Sequence, residues 1–265
     1  MKPENFETYM RSYETLGDEP LPADVYVVAR LDGRNFTRLT KELYGFECPF
    51  DITFRDLMVK TLSHLMQCGF RTVFGYSESD EISILLYHGD DTFGRKPRKW
   101  LSILASEASA KFSVELKDIA AFDCRLSLLP SISTVVDFFR WRMADASRNC
   151  TNSHCYWILR SQGKGVVEAT KMLEGISNLE KRKIIEDSGT PFEEIPPWQK
   201  RGFGIHWEYD IRTKTDAASG EKIAYVRRNL VVNYNLPTGT EYEQFLIAHM
   251  LQNKKKIKES LLLGS

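Results

Sequence analysis

Two aspartates in this chain have the residue types and the setting for phosphate chemistry. Asp32 closes the apolar run Val25 to Leu31 and precedes Gly33, while Asp80 lies between two runs rich in β-branched and aromatic residues, Arg71 to Tyr76 and Glu81 to Tyr87. Ser77, Glu78, Ser79 and Asp80 are turn formers, so this second segment reads as a hairpin. If the first strand lies beside the hairpin, both carboxylates reach one point. There they could hold divalent metal against a nucleoside triphosphate, because Mg²⁺ prefers hard oxygen ligands and is commonly bound by one or two carboxylates plus substrate phosphates. Two such ions can clamp the attacking and leaving oxygens of an in-line displacement. Gly33 lets backbone approach a ligand closely, and the amides of Arg34, Asn35, Phe36 and Thr37 are candidate donors to phosphate oxygens. A lone Asp-Gly is most often a turn, and a lone Ser-Asp-Glu a solvated hairpin tip. The surrounding elements therefore decide whether these residues form a site.

Those elements follow from periodicity. Glu4 to Leu16 reads as a short helix and Val25 to Leu31 as a strand covered on both faces. A helix from Phe50-Asp51 to about Gln67 has Asp51 as its N-cap and Phe54, Leu57, Met58, Leu62 and Leu65 on its apolar face. The hairpin comes next, then a helix from Pro97 to Leu116 and a strand from Phe122 to Leu129 that stops at Pro130. The order β-α-β-β-α-β is the ferredoxin-like unit, an antiparallel four-stranded sheet with two helices on one face. In that unit the end of the first strand and the start of the third meet, and Asp32 and Asp80 occupy those two places.

The second half is more helical. Ser133 to about Arg160 is a long aromatic helix whose polar residues, among them Asp137, Arg140, Arg142, Asp145, Arg148, Asn149, Asn152 and His154, read mostly as a solvated face. Shorter helices are expected at Lys164 to Glu174 and Asn178 to Glu186. Gly204 to Arg212 and Lys222 to Tyr234 flank the turn Asp216 to Gly220 as a protruding hairpin, and Glu241 to Leu263 is a terminal helix with a basic cluster at Lys254 to Lys258. The fold class expected is therefore α+β, with a palm-type catalytic domain over 1–135 and a dependent helical and hairpin region over 136–265.

At 265 residues with 42% hydrophobic composition the chain can bury a sizeable core. Lys+Arg 36 against Asp+Glu 36 leaves no net charge, so a nucleic-acid surface must come from local clustering, as at Lys200-Arg201, Arg227-Arg228 and Lys254 to Lys258. The five cysteines have neither C-x-x-C nor zinc-ligand spacing and read as reduced structural thiols. No apolar run approaches a membrane span and the N-terminus is polar, so a cytoplasmic protein with no membrane partner is expected.

Six strings in order, RLDGRNF at Arg30 to Phe36, P-F-D at Pro49 to Asp51, S-D-E at Ser79 to Glu81, F-D-x-R at Phe122 to Arg125, FFRWRMADASRN at Phe138 to Asn149 and L-E-G at Leu173 to Gly175, resemble the tRNA(His) guanylyltransferase family. The match is closer to its bacterial and archaeal like-protein branch. The resemblance implies a polymerase palm run in the opposite direction, in which the 3′-hydroxyl of an incoming nucleoside triphosphate attacks an activated phosphate at the 5′ end of a tRNA. Carried over, Asp32 and Asp80 are the catalytic metal ligands with the Gly33 carbonyl, holding two Mg²⁺ ions. Gly33, Arg34, Asn35, Phe36, Thr37 and Ser79 bind the same nucleotide. Arg30, Arg148, Asn149 and Lys181 are implied at the activation site, where ATP activates a 5′-monophosphate. GTP and other nucleoside triphosphates are implied substrates, and a homotetramer the implied assembly. Base choice falls to template pairing, with a pocket near Phe46 and Asp51 secondary.

The eukaryotic members carry a lysine where this chain has Cys48 and a histidine where it has Ser147. Template-dependent repair of 5′-truncated tRNA is thus the expected role, ahead of strict addition of one guanosine to tRNA(His). A palm-type nucleotide cyclase uses the same two aspartates, and a non-enzymatic RNA-binding protein would need neither.

Overall fold

The computed structural model describes residues 3–15, 17–215 and 222–262. A first helix, α1 (Pro3–Glu14), leads into β1 (Tyr26–Gly33), a short helix α2 (Phe36–Arg38) continued by a π-turn over Leu39–Leu43, and α3 (Ile52–Leu65). The hairpin β2 (Thr72–Glu78) and β3 (Glu81–Leu86) follows, then α4 (Pro97–Leu116) and β4 (Phe122–Leu129), completing the expected β-α-β-β-α-β order. The second half contains α5 (Ile132–Ser161), α6 (Val166–Leu173), α7 (Asn178–Asp187), α8 (Pro197–Arg201), the strands β5 (Phe203–Thr215) and β6 (Lys222–Asn233), and α9 (Gly239–Leu262).

The strands form one antiparallel sheet in the order β4-β1-β3-β2-β5-β6. Its first four strands are the ferredoxin-like arrangement. The root of the later hairpin belongs to the same sheet, because Phe203 to His206 of β5 pair with Phe74 to Ser77 of β2. Beyond that root the hairpin projects past the sheet edge, and its solvent-facing Ile211 is 77% exposed. The pairing escaped the sequence because strand order depends on long-range contacts that local propensity does not encode. The turn Asp216 to Gly220, Leu16 and the side chains of Lys254 to Lys258 lie outside the described residues.

Strand alternation explains why β1 reads as an unbroken apolar run. Val27, Ala29 and Leu31 enter a core with Met58, Leu62 and Leu65 of α3 and Trp100, Leu104 and Phe112 of α4, whereas Val28 faces the opposite core with Val135 and Phe139 of α5 and Tyr242 and Leu246 of α9. Both sheet faces are therefore covered. Asp51 caps α3 as its composition suggests, accepting the Phe54 amide at 2.9 Å. No helix among the described residues is long and apolar enough to cross a membrane.

The β2–β3 turn is tighter than the sequence suggests. Ser77 and Glu78 are buried strand residues, leaving Ser79 and Asp80 as the two-residue connection. Ser79 takes a left-handed backbone (φ 48°), a conformation that favours glycine, and the Ser77 hydroxyl donates to the Glu81 carbonyl at 2.9 Å inside the hairpin.

Candidate active site

The end of β1 and the tip of the hairpin are joined by backbone. Asp32 pairs in register with Glu81, and the Gly33 amide donates to the Asp80 carbonyl at 3.1 Å. Gly33 must be glycine for packing. A Cβ there would sit 2.5 Å from the Phe36 ring, which is wedged against Phe54, Phe112 and Phe122. Asn35, left-handed at φ 60°, turns the chain into α2.

Asp32 and Asp80 lie close enough for the charge of one to act on the other. Burial chiefly, with the Asp32 charge added, pushes the Asp80 carboxyl above the ordinary carboxylate range. Neighbouring carboxylates are supplied with arginines. Arg142 of α5 reaches Glu81 at 2.6 and 3.0 Å, Glu78 at 2.8 Å and Asp145 at 2.6 Å. Arg148 also binds Asp145, Arg30 lies 3.4 Å from Glu81, and Arg125 lies 3.4 Å from Asp123. Among the described residues Asp32 and Asp80 have no such cation. The arrangement leaves two carboxylates with uncompensated charge at one end of the sheet, beside a cluster whose charges are matched.

Glu81 shares a sheet face with its register partner Asp32 and is consumed by Arg142 and Arg30. Burial pushes Glu78 up to about 8 against the opposing pull of Arg142, and its second oxygen is buried without a partner. Arg142 itself was assigned by sequence to a solvated helix face, yet its side chain is 6% exposed. Helical phase held the signal. Val135, Phe139, Arg142 and Ala146 recur at three- and four-residue spacing, which is the buried stripe of α5.

A cleft of about 510 Å³ opens beside the turn. Phe36, Thr37, Ser79 and Asp80 form one wall of it, and Asn149 of α5 stands on another. Phe46 and Asp51, expected near the base, also line it. Asp32, Gly33, Arg34 and Asn35 are not among the residues lining it. The Arg34 amide is already engaged, donating to the Ala121 carbonyl at 2.8 Å, so the loop amides before the first bonds of α2 are those of Asn35, Phe36 and Thr37. Arg30 is held between Glu81 and the Trp141 ring, 5.6 Å from its centroid. Arg148 is committed to Asp145, and Lys181 stands on α7, where its carbonyl accepts from the Cys155 thiol at 3.0 Å. These three are not among the residues lining the cleft.

Sequence reasoning missed the cations that do line it. Arg55 of α3 lies between the rings of Trp198 and Tyr234, 5.0 and 4.6 Å from their centroids, and Lys41 lies 5.7 and 5.8 Å from those of Tyr156 and Trp157. Their partners are over a hundred positions away, and no local pattern marks them.

A ferredoxin-like sheet with two uncompensated carboxylates beside a cleft of aromatic rings and cations defines a palm-type nucleotidyltransferase. The sequence model described as tRNAHis guanylyltransferase matches residues 7–130, and that of the Thg1 C terminal domain matches residues 133–259. The chain belongs to the tRNAHis guanylyltransferase family. It is 30% identical over 245 residues to the probable tRNA(His) guanylyltransferase of Mus musculus, covering 86% of this chain and 81% of that one. It is 27% identical over 224 residues to the tRNA(His) guanylyltransferase of Debaryomyces hansenii, covering 80% and 83%. Among solved structures it resembles a bacterial tRNA(His) guanylyltransferase (Thg1)-like protein in complex with GTP, with TM-score 0.72, 25% identity and 93% and 99% of the two chains covered. The corresponding protein in complex with ATP gives TM-score 0.72 and 26% identity, with 92% and 98% covered.

Proposed function

We propose that this protein is a template-dependent 3′-to-5′ nucleotidyltransferase that adds nucleotides to the 5′ end of truncated tRNA. The observation that carries the proposal is the nearness of Asp32 to Asp80, two carboxylates without a cation, the second of which lines a cleft of about 510 Å³. The donor set fits Mg²⁺. It offers hard oxygens only, and a divalent cation would relieve the like-charge and burial terms that act on Asp80. Asp32, Asp80 and the Gly33 carbonyl would hold it. When bound there, two Mg²⁺ ions supply an acidified 3′-hydroxyl and neutralise charge on the triphosphate.

The remaining work falls to this chain's own groups. The amides of Asn35, Phe36 and Thr37 with the Ser79 hydroxyl orient the incoming triphosphate, and the rings around the cleft exclude water from it. The 3′-hydroxyl oxygen then forms a bond to the α-phosphorus of the RNA 5′ end and loses its proton. The bond to the departing AMP or pyrophosphate breaks.

ATP activation of a 5′-monophosphate belongs to the same proposal. The cleft's own cations, Lys41 and Arg55, are placed to neutralise charge in that step, in preference to Arg148 and Lys181. Asn149 on the cleft wall supplies a polar contact. Cys48 lies on the wall where the resemblance puts a lysine, and this departure supports repair over strict single addition of guanosine to tRNA(His). A division into a 1–135 palm and a 136–265 region is supported by the family models, which meet between residues 130 and 133. A homotetramer is the assembly that the resemblance supports.

Mg²⁺-dependent extension of a 5′-truncated tRNA transcript tests the reading. Extension that follows the 3′ strand template is expected. Cyclic nucleotide formed from GTP or ATP without RNA would replace this reading with that of a cyclase.

A further inference from the structure

A second concavity, of about 720 Å³, lies along the same helix as the cleft. Residues Ala146, Asn149, Asn152 and Ser153 of α5 face the cleft, whereas Asp137, Arg140, Trp141, Ala144 and Ser147 face this groove, toward the start of the helix. Helix α8 is divided in the same way, with Trp198 and Gln199 on the cleft and Lys200 and Arg201 on the groove. The two concavities are neighbours on both helices.

The groove is positive in a chain of zero net charge. Arg140, Arg182, Lys200 and Arg201 line it against the carboxylates Asp137 and Glu193. The Arg140 guanidinium, 3.1 Å from Glu243 and 3.6 Å from Asp137, is 54% exposed, so its ion pairs are weak ones that a phosphate can displace. Two buried polar atoms of the lining have no partner, the Tyr242 hydroxyl and Arg201 Nε. Unpartnered buried donors are costly and are expected where an absent group completes them. The first turn of α9, at Gly239, opens onto the same groove and adds its dipole. Trp141 stands on the rim, 49% exposed, with its ring supported by Arg142 at 4.6 Å.

Cations, an unpartnered hydroxyl and an exposed indole together match one ligand chemistry. We infer that this groove binds a single-stranded segment of the RNA substrate, its phosphates held by Arg140, Arg182, Lys200 and Arg201 and one unpaired base stacked on Trp141. Stacking on an aromatic face requires a base released from a helix, which single strands offer and duplexes do not. The inference rests on the proposed RNA substrate and adds the path by which an unpaired strand leaves the cleft along α5.

The test uses the full chain and a fluorescein-labelled oligoadenylate, read by anisotropy without catalysis. Arg140→Ala with Arg182→Ala should weaken binding at least about tenfold and lower the salt slope by about 1.4, at about 0.7 for each single-strand phosphate contact. GTP affinity should be unchanged, because neither residue lines the cleft. Intrinsic fluorescence should be quenched by the oligonucleotide in the wild type and not in Trp141→Phe. Unchanged affinity and slope in the arginine variant, or tighter binding of a matched duplex than of the single strand, would overturn the inference. Oligonucleotide binding does not depend on turnover, so Asp80→Ala should bind as the wild type does. A protein that binds the strand in the groove but never extends tRNA would sink the polymerase reading alone.

Discussion

The Gly33 amide donates to the Asp80 carbonyl at 3.1 Å, so the loop after β1 and the tip of the β2–β3 hairpin are one unit. This bond fixes the backbone from which both uncompensated carboxylates project. Its consequence is that either side chain can be removed without dismantling the support. Asp32→Ala and Asp80→Ala should each reduce tRNA extension by at least about a hundredfold, the scale expected when transition-state charge stabilisation is lost. Thermal midpoints without metal should stay level or rise, since like-charge repulsion is relieved. The wild-type rise in midpoint on adding Mg²⁺ with GTP should shrink in both variants. Extension by Asp80→Ala at a wild-type rate would refute its assignment.

Arg142 neutralises Glu78, Glu81 and Asp145 from the middle of the aromatic face of α5. Arg142→Met would leave two largely buried carboxylates, Glu78 and Glu81, without their partner. Breaking buried ion pairs on one side costs about 3–5 kcal/mol. Urea unfolding should show that loss, and Arg142→Lys should recover only part because one ammonium cannot reproduce the forked contacts. A variant as stable as the wild type would mean that water already compensates these carboxylates.

Gly202 precedes β5 with φ 70° and ψ −170°, and a Cβ there would lie 2.5 Å from the Ser77 carbonyl oxygen and 2.7 Å from the Tyr76 hydroxyl. Gly202→Ala combines backbone strain with a clash against backbone that cannot yield, and about 1–3 kcal/mol of destabilisation is expected. The strained segment leads into the β2–β5 pairing. Hydrogen exchange should therefore accelerate first at Phe203 to His206 and at Phe74 to Ser77, a pattern that uniform acceleration would contradict.

His206 of β5 packs between Phe245 and His249 of α9, and Glu208 lies 3.5 Å from its ring. Burial, reinforced by the charge His249 would carry, holds its pKa below the ordinary value of 6.5, with Glu208 opposing. The neutral ring is thus favoured in the folded protein, and the unfolded chain binds the extra proton. The stabilisation is complete above pH 6.5 and is lost as pH falls through that value toward the lower folded one. Thermal midpoints measured downward from pH 7.5 should fall, and His206→Gln should flatten the fall. Parallel wild-type and variant curves would assign the acid sensitivity to other groups.

Much of this architecture was legible along the chain. The bounds of α4 and β4, the Asp51 cap and the β-α-β-β-α-β order follow from local signals, namely a stop at Pro130, a capping side chain and apolar spacing at periods of two and 3.6. The placement of Asp32 and Asp80 at neighbouring strand ends followed from that order alone. Arg142 could have been found by extending the helical phase of its own apolar neighbours.

The rest was decided in three dimensions. Arg55 meets Trp198 and Tyr234, and β5 joins β2, because sheet and helix faces bring together segments more than a hundred residues apart. Which carboxylate stays uncompensated was also beyond the sequence. Asp32, Glu78, Asp80, Glu81 and Asp145 are alike as letters, but Arg142, Arg148 and Arg30 reach the second, fourth and fifth of them and leave the other two bare. Chain chemistry set the acids and the strands that carry them. Charge pairing across the folded core selected the pair left without a cation.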